Sequence, residues 1–488
     1  MKHKNNYTKK NKFHNKLCDD KMTFQECELT ILRSAVDKAE KITSTKIANS
    51  EQVKEMIRIL EAFLIRKKCV CYGGTAINNI LPKHAQFYDR EIEIPDYDFF
   101  SPNALDDAKE LADIYHKNGF YYAQAVSGVH YGTFKVFVNF VAIADITYLH
   151  PTIFNSISRE SIQVAGIKYA PANYLRMNMY LELSRPMGDV SRWEKVLKRL
   201  NLLNEHWPLK TRNCDKVKFQ RPMDSHQEDS EELYTILLDI LIHQGVLFLG
   251  GYATRLFSKM DRSNHEIVKK VPDFDVLAED AETVAIIVVE RLKDLGYKNA
   301  KMTKYDAIGE VIPVHYQIHI SNETLCFIHS ATACHSYNII TVNNEQIKIA
   351  TIETMMAFYL AFYYSDKPYH EKDRILCMAE YLFNVINENR LNQRGILKRF
   401  SLDCYGKQKT MQDIREEKIK KFNELKGDRK SRDYNMWFLK YALQDSDKIE
   451  KIIKSENDKS KNLTVKLAKK KRKKKLKKAV DGIMGLFK

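Results

Sequence analysis

Residues 95–98 read Pro-Asp-Tyr-Asp, residues 272–275 read Pro-Asp-Phe-Asp, and a double glycine precedes each phrase. Three landmarks recur at one shift of 177 residues, which is rare by chance: Gly73-Gly74 with Gly250-Gly251, Asp96-x-Asp98 with Asp273-x-Asp275, and Gly119 with Gly296. A constant shift between several landmarks predicts an internal duplication. The chain of 488 residues is long enough for two or three domains.

The two copies share one order of predicted elements. Apolar residues at helical spacing indicate a helix over residues 50–68, followed by a short strand, the double glycine and a short helix. A strand then carries the aspartates, and a helix over 104–118 ends at Gly119. The second copy predicts helices over 231–243 and 281–294 and strands from 246 and 273. The polar stretch 225–232 is interpreted as a hinge between the copies.

The spacing of Asp96 and Asp98 indicates a metal site. Residues i and i+2 of a strand point to one face, so the two carboxylates project side by side and repel each other unless a cation lies between them. Hard carboxylate oxygens suit Mg²⁺ or Mn²⁺. A third acid on a neighbouring strand would complete a site for two ions, and Asp145, the lone charge in the apolar segment 141–146, is the candidate. A surface aspartate that ends the strand is the alternative.

The first double glycine predicts a phosphate site. Gly73 and Gly74 follow a strand and open a helix at Thr75, so the backbone can approach a phosphate and the helix start presents free N–H groups. Double glycines also occur in many ordinary turns. The Walker and dinucleotide-binding glycine patterns do not occur in the sequence.

These motifs together resemble those of a known enzyme family. A strand, a double glycine, a helix, Asp-x-Asp and a later aspartate resemble the nucleotidyltransferase fold of the DNA polymerase β superfamily. The segments CYGGTAINNILP, IPDYDFFSP, IADITY and ELSRPMGDVSRWEKVLKRL look like those of the poly(A) polymerase catalytic subunits of large DNA viruses, of the poxvirus and giant-virus type. The resemblance extends over roughly residues 50–380. It implies an α+β protein of two tandem nucleotidyltransferase-like domains, each with a mixed sheet flanked by helices.

The resemblance also implies a reaction and its residues. The family adds AMP from ATP to RNA 3′ ends without a template, with Asp96 and Asp98 holding both metal ions and Asp145 the catalytic one. Gly73, Gly74 and Thr75 would cradle phosphate oxygens.

A predicted helix over 189–204 carries further basic residues. Arg192, Lys195 and Arg199 share one face, with Lys198 at its edge. Lys195 and Lys198 are the candidates for the triphosphate, and a solvated helix face is the alternative.

The second copy is expected to be catalytically degenerate. The ungapped equivalent of Asp145 is Asn322, which is neutral, and the adjacent Glu323 would face the other way if the strand continues. A second copy with two acids instead of three is interpreted as a domain kept for architecture and RNA contact.

The net charge of +16 comes from two basic tails. Residues 1–16 hold six basic residues and residues 466–478 hold ten, with no acid in either, so the rest of the chain is balanced. Such tails attract a polyanion such as RNA through counterion release. A localisation signal or a solubilising tail is the alternative.

The remaining expectations concern compartment and partners. No apolar run approaches the roughly eighteen residues of a membrane span, the N-terminus lacks the apolar stretch of a signal peptide, and the nine cysteines are expected to be reduced, without a structural metal. An intracellular protein is therefore expected, and the resemblance implies virion and host cytoplasm. The resemblance also implies a separate processivity subunit, with a homodimer as the alternative.

The sequence predicts four regions: a basic N-terminal arm and helix (1–48), a catalytic domain (49–224), a second, degenerate domain (225–400), and a charged helical C-terminal region with the basic tail (401–488). Two other functions stay open. One is a nucleotidyltransferase with a different acceptor, and the other is a non-catalytic RNA-binding scaffold.

Overall fold

The computed structural model describes residues 17–18, 22–48, 50–89, 95–211, 214, 217–221, 223, 227–257, 271, 273–342, 344–389 and 391–444. Both basic tails, and the predictions made on them, lie outside the described residues. The described part is a mixed α+β fold with two mixed sheets and 14 α-helices.

The first half of the chain forms most of one sheet. Its strands are β1 (Val70–Tyr72), β2 (Tyr97–Ser101), β3 (Tyr122–Ser127), β4 (Thr133–Val138), β5 (Val141–Tyr148), β6 (Ile162–Val164) and β7 (Ile167–Tyr169). Its helices are α1 (Phe24–Ala48), α2 (Glu51–Lys67), α3 (Gly73–Ile80), α4 (Ala104–Lys117), α5 (Pro151–Arg159), α6 (Ala172–Leu183) and α7 (Trp193–His206). Ser50 caps α2 by accepting from the Val53 N–H, and the buried face of α2 is the predicted apolar stripe.

The second half forms the other sheet. Its strands are β8 (Leu247–Leu249), β9 (Phe274–Ala278), β10 (Ala300–Tyr305), β11 (His315–Ile320), β12 (Glu323–Ser330), β13 (His335–Val342), β14 (Glu345–Ala350), β15 (Cys404–Tyr405) and β16 (Lys440–Gln444). Its helices are α8 (Gln227–His243), α9 (Gly250–Phe257), α10 (Ala281–Asp294), α11 (Ile352–Tyr363), α12 (Lys372–Glu388), α13 (Met411–Leu425) and α14 (Arg432–Phe438). The last strand, β16, returns to the first sheet.

The strand orders of the two sheets correspond. The first is β16-β3-β4-β5-β2-β1-β7-β6 and the second is β10-β11-β12-β9-β8-β14-β13-β15. In the first sheet, the aspartate-bearing strand β2 pairs parallel to β5 and antiparallel to β1, the strand before the double glycine. In the second sheet, β9 pairs in the same way with β12 and β8. Seven strands therefore match one for one, and β16 and β15 are the additions.

The predicted hinge is partly wrong. Residues 227–232 form the first turns of α8 instead of a loop. Glu228, Asp229, Glu231 and Glu232 are polar, which suggested a loop, but acidic residues in the first turns of a helix are favoured by the helix dipole.

The two halves share one hydrophobic core. Helix α6 of the first half packs on α11 of the second, and the Tyr174 and Tyr364 ring centroids lie 5.3 Å apart. Arg159 forms an ion pair with Asp366 across the same boundary. Buried residues of both halves belong to a single cluster, so the core holds the halves together.

The cysteines differ from expectation. Six of the nine form three disulfide pairs, Cys18–Cys27, Cys214–Cys377 and Cys334–Cys404, whereas Cys69, Cys71 and Cys326 are free and buried. Two of the pairs join residues separated by 163 and 70 positions, which linear spacing could not reveal. Among the described residues, no helix is long and apolar enough to cross a membrane.

Candidate active site

Asp98 and Asp145 lie side by side in the first sheet. They are register partners on the parallel strands β2 and β5, so both carboxylates project from one face. Tyr97 and Phe99 are fully buried on the opposite face, which fixes the orientation of β2. Asp96 directly precedes β2, two residues before Asp98.

Burial and mutual repulsion make this group costly without a cation. Burial, and then the Asp96 and Asp145 carboxylates, raise the pKa of Asp98 to about 7. Burial and the Asp145 carboxylate likewise raise the pKa of Asp96, while Lys135 and Lys195 partly offset that rise. An oxygen-only donor set whose charges repel one another fits a hard divalent cation, so these residues suit Mg²⁺ or Mn²⁺.

Lys135 is a residue that the sequence analysis missed. It lies on β4 as the register partner of Asp145, and its Nζ lies 2.5 Å from the Asp145 Oδ2. In the alternating strand TFKVFV, Lys135 is the single charge, which was the available signal, but its partner depends on the strand register. The lysine gives Asp145 a cationic partner within the protein.

The double glycine lies against the carboxylates. Gly73 has φ +73°, and a Cβ there would lie 2.5 Å from an Asp98 carboxylate oxygen. A Cβ on Gly74 would lie 2.7 Å from the Tyr88 hydroxyl and 3.0 Å from the Arg199 guanidinium. The side chains of Asp98, Tyr88 and Arg199 can therefore approach the start of α3 this closely only because both residues lack a side chain.

Thr75 makes a positioning contact. Its hydroxyl donates to the Asp96 carbonyl oxygen at 2.6 Å and is buried. The contact ties the start of α3 to the segment that carries the aspartates. Its assignment to phosphate binding stays a prediction.

The basic residues of α7 divide into two groups. Lys195 is close enough to affect the pKa of Asp96, and Arg199 donates to the Tyr88 hydroxyl and lies over the Phe87 ring. Lys198, by contrast, is 72% exposed and pairs with Glu194 at 2.6 Å. The structure therefore places Lys195 and Arg199 beside the site and points Lys198 away from it.

The corresponding site of the second half holds an arginine. Arg221, from the segment before α8, is buried, with its guanidinium 2.6 Å from the Asp273 carboxylate and 3.1 Å from that of Asp275. Its backbone N–H donates to Asp273 as well, and Arg374 lies 3.7 Å from the same carboxylate. Two fixed guanidinium groups thus neutralise this aspartate pair.

The expected equivalent of Asp145 is corrected by the strand register. Asp275 pairs with Phe327 on β12, not with Asn322 or Glu323. Asn322 lies in the turn before β12, because the segments between the landmarks differ in length and an ungapped shift fails there. A phenylalanine, with the Arg221 guanidinium 4.9 Å from its ring centroid, therefore takes the place of the third acid.

Among the described residues, one group of three potential metal ligands has donor atoms within 4.8 Å of one another: Asp239, His243 and Glu345, all exposed. Asp96, Asp98 and Asp145 do not meet that distance here, and the Asp145 carboxylate lies on Lys135 instead.

Comparison with known proteins places the motifs in one family. Residues 58–189 match the family model described as poly(A) polymerase catalytic subunit. A protein named as this subunit from African swine fever virus (strain Badajoz 1971 Vero-adapted) is 34% identical over 180 residues, which are 36% of this chain and 38% of that relative. A mimivirus protein of the same name, from Acanthamoeba polyphaga mimivirus, is 29% identical over 184 residues, 37% of this chain and 30% of its own length. The match thus spans well under half of these relatives.

A solved structure matches nearly the whole fold. The crystal structure of the Megavirus polyadenylate synthase superposes with a TM-score of 0.72 at 17% identity and covers 86% of each chain. The resemblance carried by the motifs is therefore confirmed: residues 58–189 match the family model of the poly(A) polymerase catalytic subunit, the matching relatives are proteins of large DNA viruses, and the fold is similar to that of the Megavirus polyadenylate synthase.

Proposed function

We propose that this protein is a template-independent polyadenylate polymerase that adds AMP from ATP to RNA 3′ ends by two-metal-ion nucleotidyl transfer. The observation that carries the proposal is the row of carboxylates on one sheet face, with Asp98 packed against the left-handed Gly73. The family match covers these residues, since 58–189 includes both glycines and all three acids.

The residues of the site have separate proposed roles. Asp96 and Asp98 would hold two divalent ions, one of them shared with Asp145, and these ions would activate the primer hydroxyl and neutralise the triphosphate. Helix α3 begins at Gly73, and the free backbone N–H groups of a helix start suit phosphate oxygens. Lys195 and Arg199 add positive charge at the same edge, where the departing pyrophosphate needs it.

The proposed transfer is a displacement at the α-phosphorus of ATP by the primer 3′-hydroxyl. The primer 3′-hydroxyl gives up its proton to solvent water, its oxygen forms a bond to the α-phosphorus of ATP, the bond from that phosphorus to the bridging oxygen breaks, and pyrophosphate leaves with that electron pair. The protein contributes position and charge rather than a covalent intermediate.

The second half is proposed to be a degenerate copy of the same domain. Its sheet repeats the strand order of the first, its double glycine repeats the positive φ at Gly250, and its aspartates are held by Arg221 and Arg374. We assign the catalytic domain to residues 49–224 and the degenerate domain to 225–400. The arm 1–48 and the region 401–488 complete the proposed division.

RNA, ATP and a divalent ion are the proposed ligands. Processive addition would depend either on a homodimer or on a separate subunit, and sedimentation of the active enzyme distinguishes the two. We also propose that the protein acts inside the host cell and is packaged in the virion.

The experiment is primer extension with a labelled RNA, each NTP in turn, and Mg²⁺ or Mn²⁺. We expect extension with ATP alone, and we expect Asp145→Asn to lower the rate about a thousandfold or more, because one carboxylate ligand is lost. The matched change Asp273→Asn in the second half should leave the rate near that of the wild type. Transfer to a different acceptor, or RNA binding with no transfer, would replace the proposal by one of the two alternative functions.

A further inference from the structure

The face of the first sheet that carries Asp98 and Asp145, called here the open face, continues over three more strands. Register pairs join Asp145 to Lys135 on β4, Lys135 to Val126 on β3, and Val126 to Lys440 on β16. Paired residues of neighbouring strands point to the same side of a sheet. Lys440 therefore lies in the row of the catalytic carboxylates, three strand spacings or about 14 Å from Asp145.

The other face of these strands is covered. Phe134 and Val136 of β4 and Ala125 of β3 are buried, and helix α4 packs on both strands. Tyr441 donates to Asp113 of α4 at 2.7 Å, so its neighbour Lys440 projects from the opposite side. Lys440 is exposed.

An aromatic cleft lies next to this row on the same strands. Tyr122, Gln124, Phe137 and Phe140 line it, together with Ala442 of β16. Gln124 pairs with Phe137 and with Ala442, which places these residues one step along the open face from Lys135 and Lys440. Phe140 is 75% exposed, and its ring centroid lies 4.8 Å from that of Tyr122.

Lys440 and the neighbouring aromatic cleft together suit single-stranded nucleic acid. A basic residue beside aromatic rings that bases can stack on is the usual pattern of single-stranded nucleic-acid binding. Strand β16 is the last described element, and the basic run 466–478 begins 22 residues after its final residue, Gln444. The matching edge of the second sheet, β10, has no added strand among the described residues.

We propose that the open face of β3, β4 and β16 binds the 3′-terminal nucleotides of the RNA primer, upstream of the reacting hydroxyl. Lys440 contacts a phosphate, and the ring pair Tyr122–Phe140, with Phe137, stacks a base. The inference rests on the proposed function and adds to it the surface that the primer occupies. The strand β16 thus makes the C-terminal region part of the primer site.

The test measures the KM for RNA and the KM for ATP separately. Lys440→Glu should raise the KM for RNA about tenfold and lower the salt slope of RNA binding by about one, with the KM for ATP and kcat unchanged. Phe140→Ser should raise the KM for RNA about fivefold through lost stacking. The controls are Lys301→Glu on the edge strand β10 and Leu391→Ser, an exposed apolar residue of the second half, which should change neither constant.

Photocrosslinking gives a readout independent of catalysis. RNA with 4-thiouridine near its 3′ end should crosslink to peptides that contain residues 122–126, 137–140 or 440–444. An active enzyme whose KM for RNA is unaffected by both substitutions, or crosslinks confined to the second half, would overturn this inference. A wild-type protein that extends no RNA would instead overturn the proposed function, and the crosslinking map would still decide whether RNA occupies this face.

Discussion

Gly73 is the residue on which the catalytic geometry depends most directly. Its φ of +73° is unfavourable for any side chain, and a Cβ would meet the Asp98 carboxylate. Gly250 repeats both properties against Asp275. The same substitution can therefore be made in both halves, with different consequences for activity.

We expect Gly73→Ala to abolish most extension activity, because the methyl group displaces Asp98 and the left-handed backbone costs about 1–2 kcal/mol. Gly250→Ala has the same backbone cost, so it should lower the free energy of unfolding by about 1–2 kcal/mol, and with it the melting temperature, and preserve activity. Primer extension and thermal unfolding of both variants check this pair. Equal loss of activity in a folded Gly250→Ala protein would show that the second half takes part in the reaction.

Lys135 is the second residue of interest at this scale, because it places a positive charge where a metal ion would bind. Lys135→Met should tighten Mn²⁺ binding several-fold at pH 8, since the competing cation on Asp145 is removed. Calorimetric titration with Mn²⁺ measures this, with Lys301→Met as the control. Unchanged or weaker Mn²⁺ affinity in Lys135→Met would mean that the lysine does not compete with the ion.

At the scale of elements, the segment before α8 anchors itself in the second half through Arg221. The guanidinium is buried and pairs with both Asp273 and Asp275. Removing one partner of a buried ion pair strands the other charge, which typically costs about 3–5 kcal/mol. The arginine is thus a structural cation at the position where we propose that the first half binds metal ions.

Arg221→Met should therefore lower the free energy of unfolding by about 3–5 kcal/mol, measured by denaturant titration. Adding Asp273→Asn and Asp275→Asn should restore part of that loss, because the stranded charges disappear. A triple variant no more stable than Arg221→Met would contradict the ion-pair explanation.

Local elements could be predicted from the sequence, and long-range pairings could not. The spacing of Val53, Leu60 and Leu64 predicted α2, and the helix predicted over 104–118 corresponds to α4. Lys135 meets Asp145 through strand register, and no local pattern encodes that pairing. Arg221 meets Asp273 52 positions away, and Tyr441 of β16 meets Asp113 328 positions away. Asn322 illustrates the limit: a shift that held for three landmarks failed once a loop changed length.

At the scale of the whole molecule, four buried histidines of the second half link stability to pH. Burial lowers the pKa of His315, His329, His370 and His335, the last to about 3. Within the described part of the chain, His335 and His329 have no hydrogen-bond partner on either ring nitrogen. The folded state therefore binds fewer protons than the unfolded state below the ordinary histidine pKa. Their contribution to stability is complete above about pH 6.5 and is lost as the pH falls toward the folded-state values.

We expect the free energy of unfolding to fall from pH 7 to pH 4, and His335→Phe to reduce that slope by about one proton, or about 1.4 kcal/mol per pH unit. Denaturant titrations at several pH values measure it. The exposed His130, changed to Phe, is the matched control and should leave the slope unchanged. An unaltered slope in a folded His335→Phe protein would contradict this assignment.

The basic C-terminal run gives a prediction about the whole chain. Deleting residues 466–488 should weaken RNA binding and flatten its dependence on salt, because fewer counterions are released. Filter binding at several salt concentrations checks this. Unchanged affinity and slope would assign the tail to localisation or solubility.

The position of β16 in the first sheet has a consequence for biosynthesis. The first sheet includes a strand, β16, that is translated only after every other described strand of both sheets. Until Lys440 has emerged and Tyr441 has reached Asp113, β3 is an exposed edge with unpaired backbone groups. A nascent chain can therefore assemble its carboxylates early and yet lack this border of the sheet, so maturation of the enzyme waits on its C-terminal region.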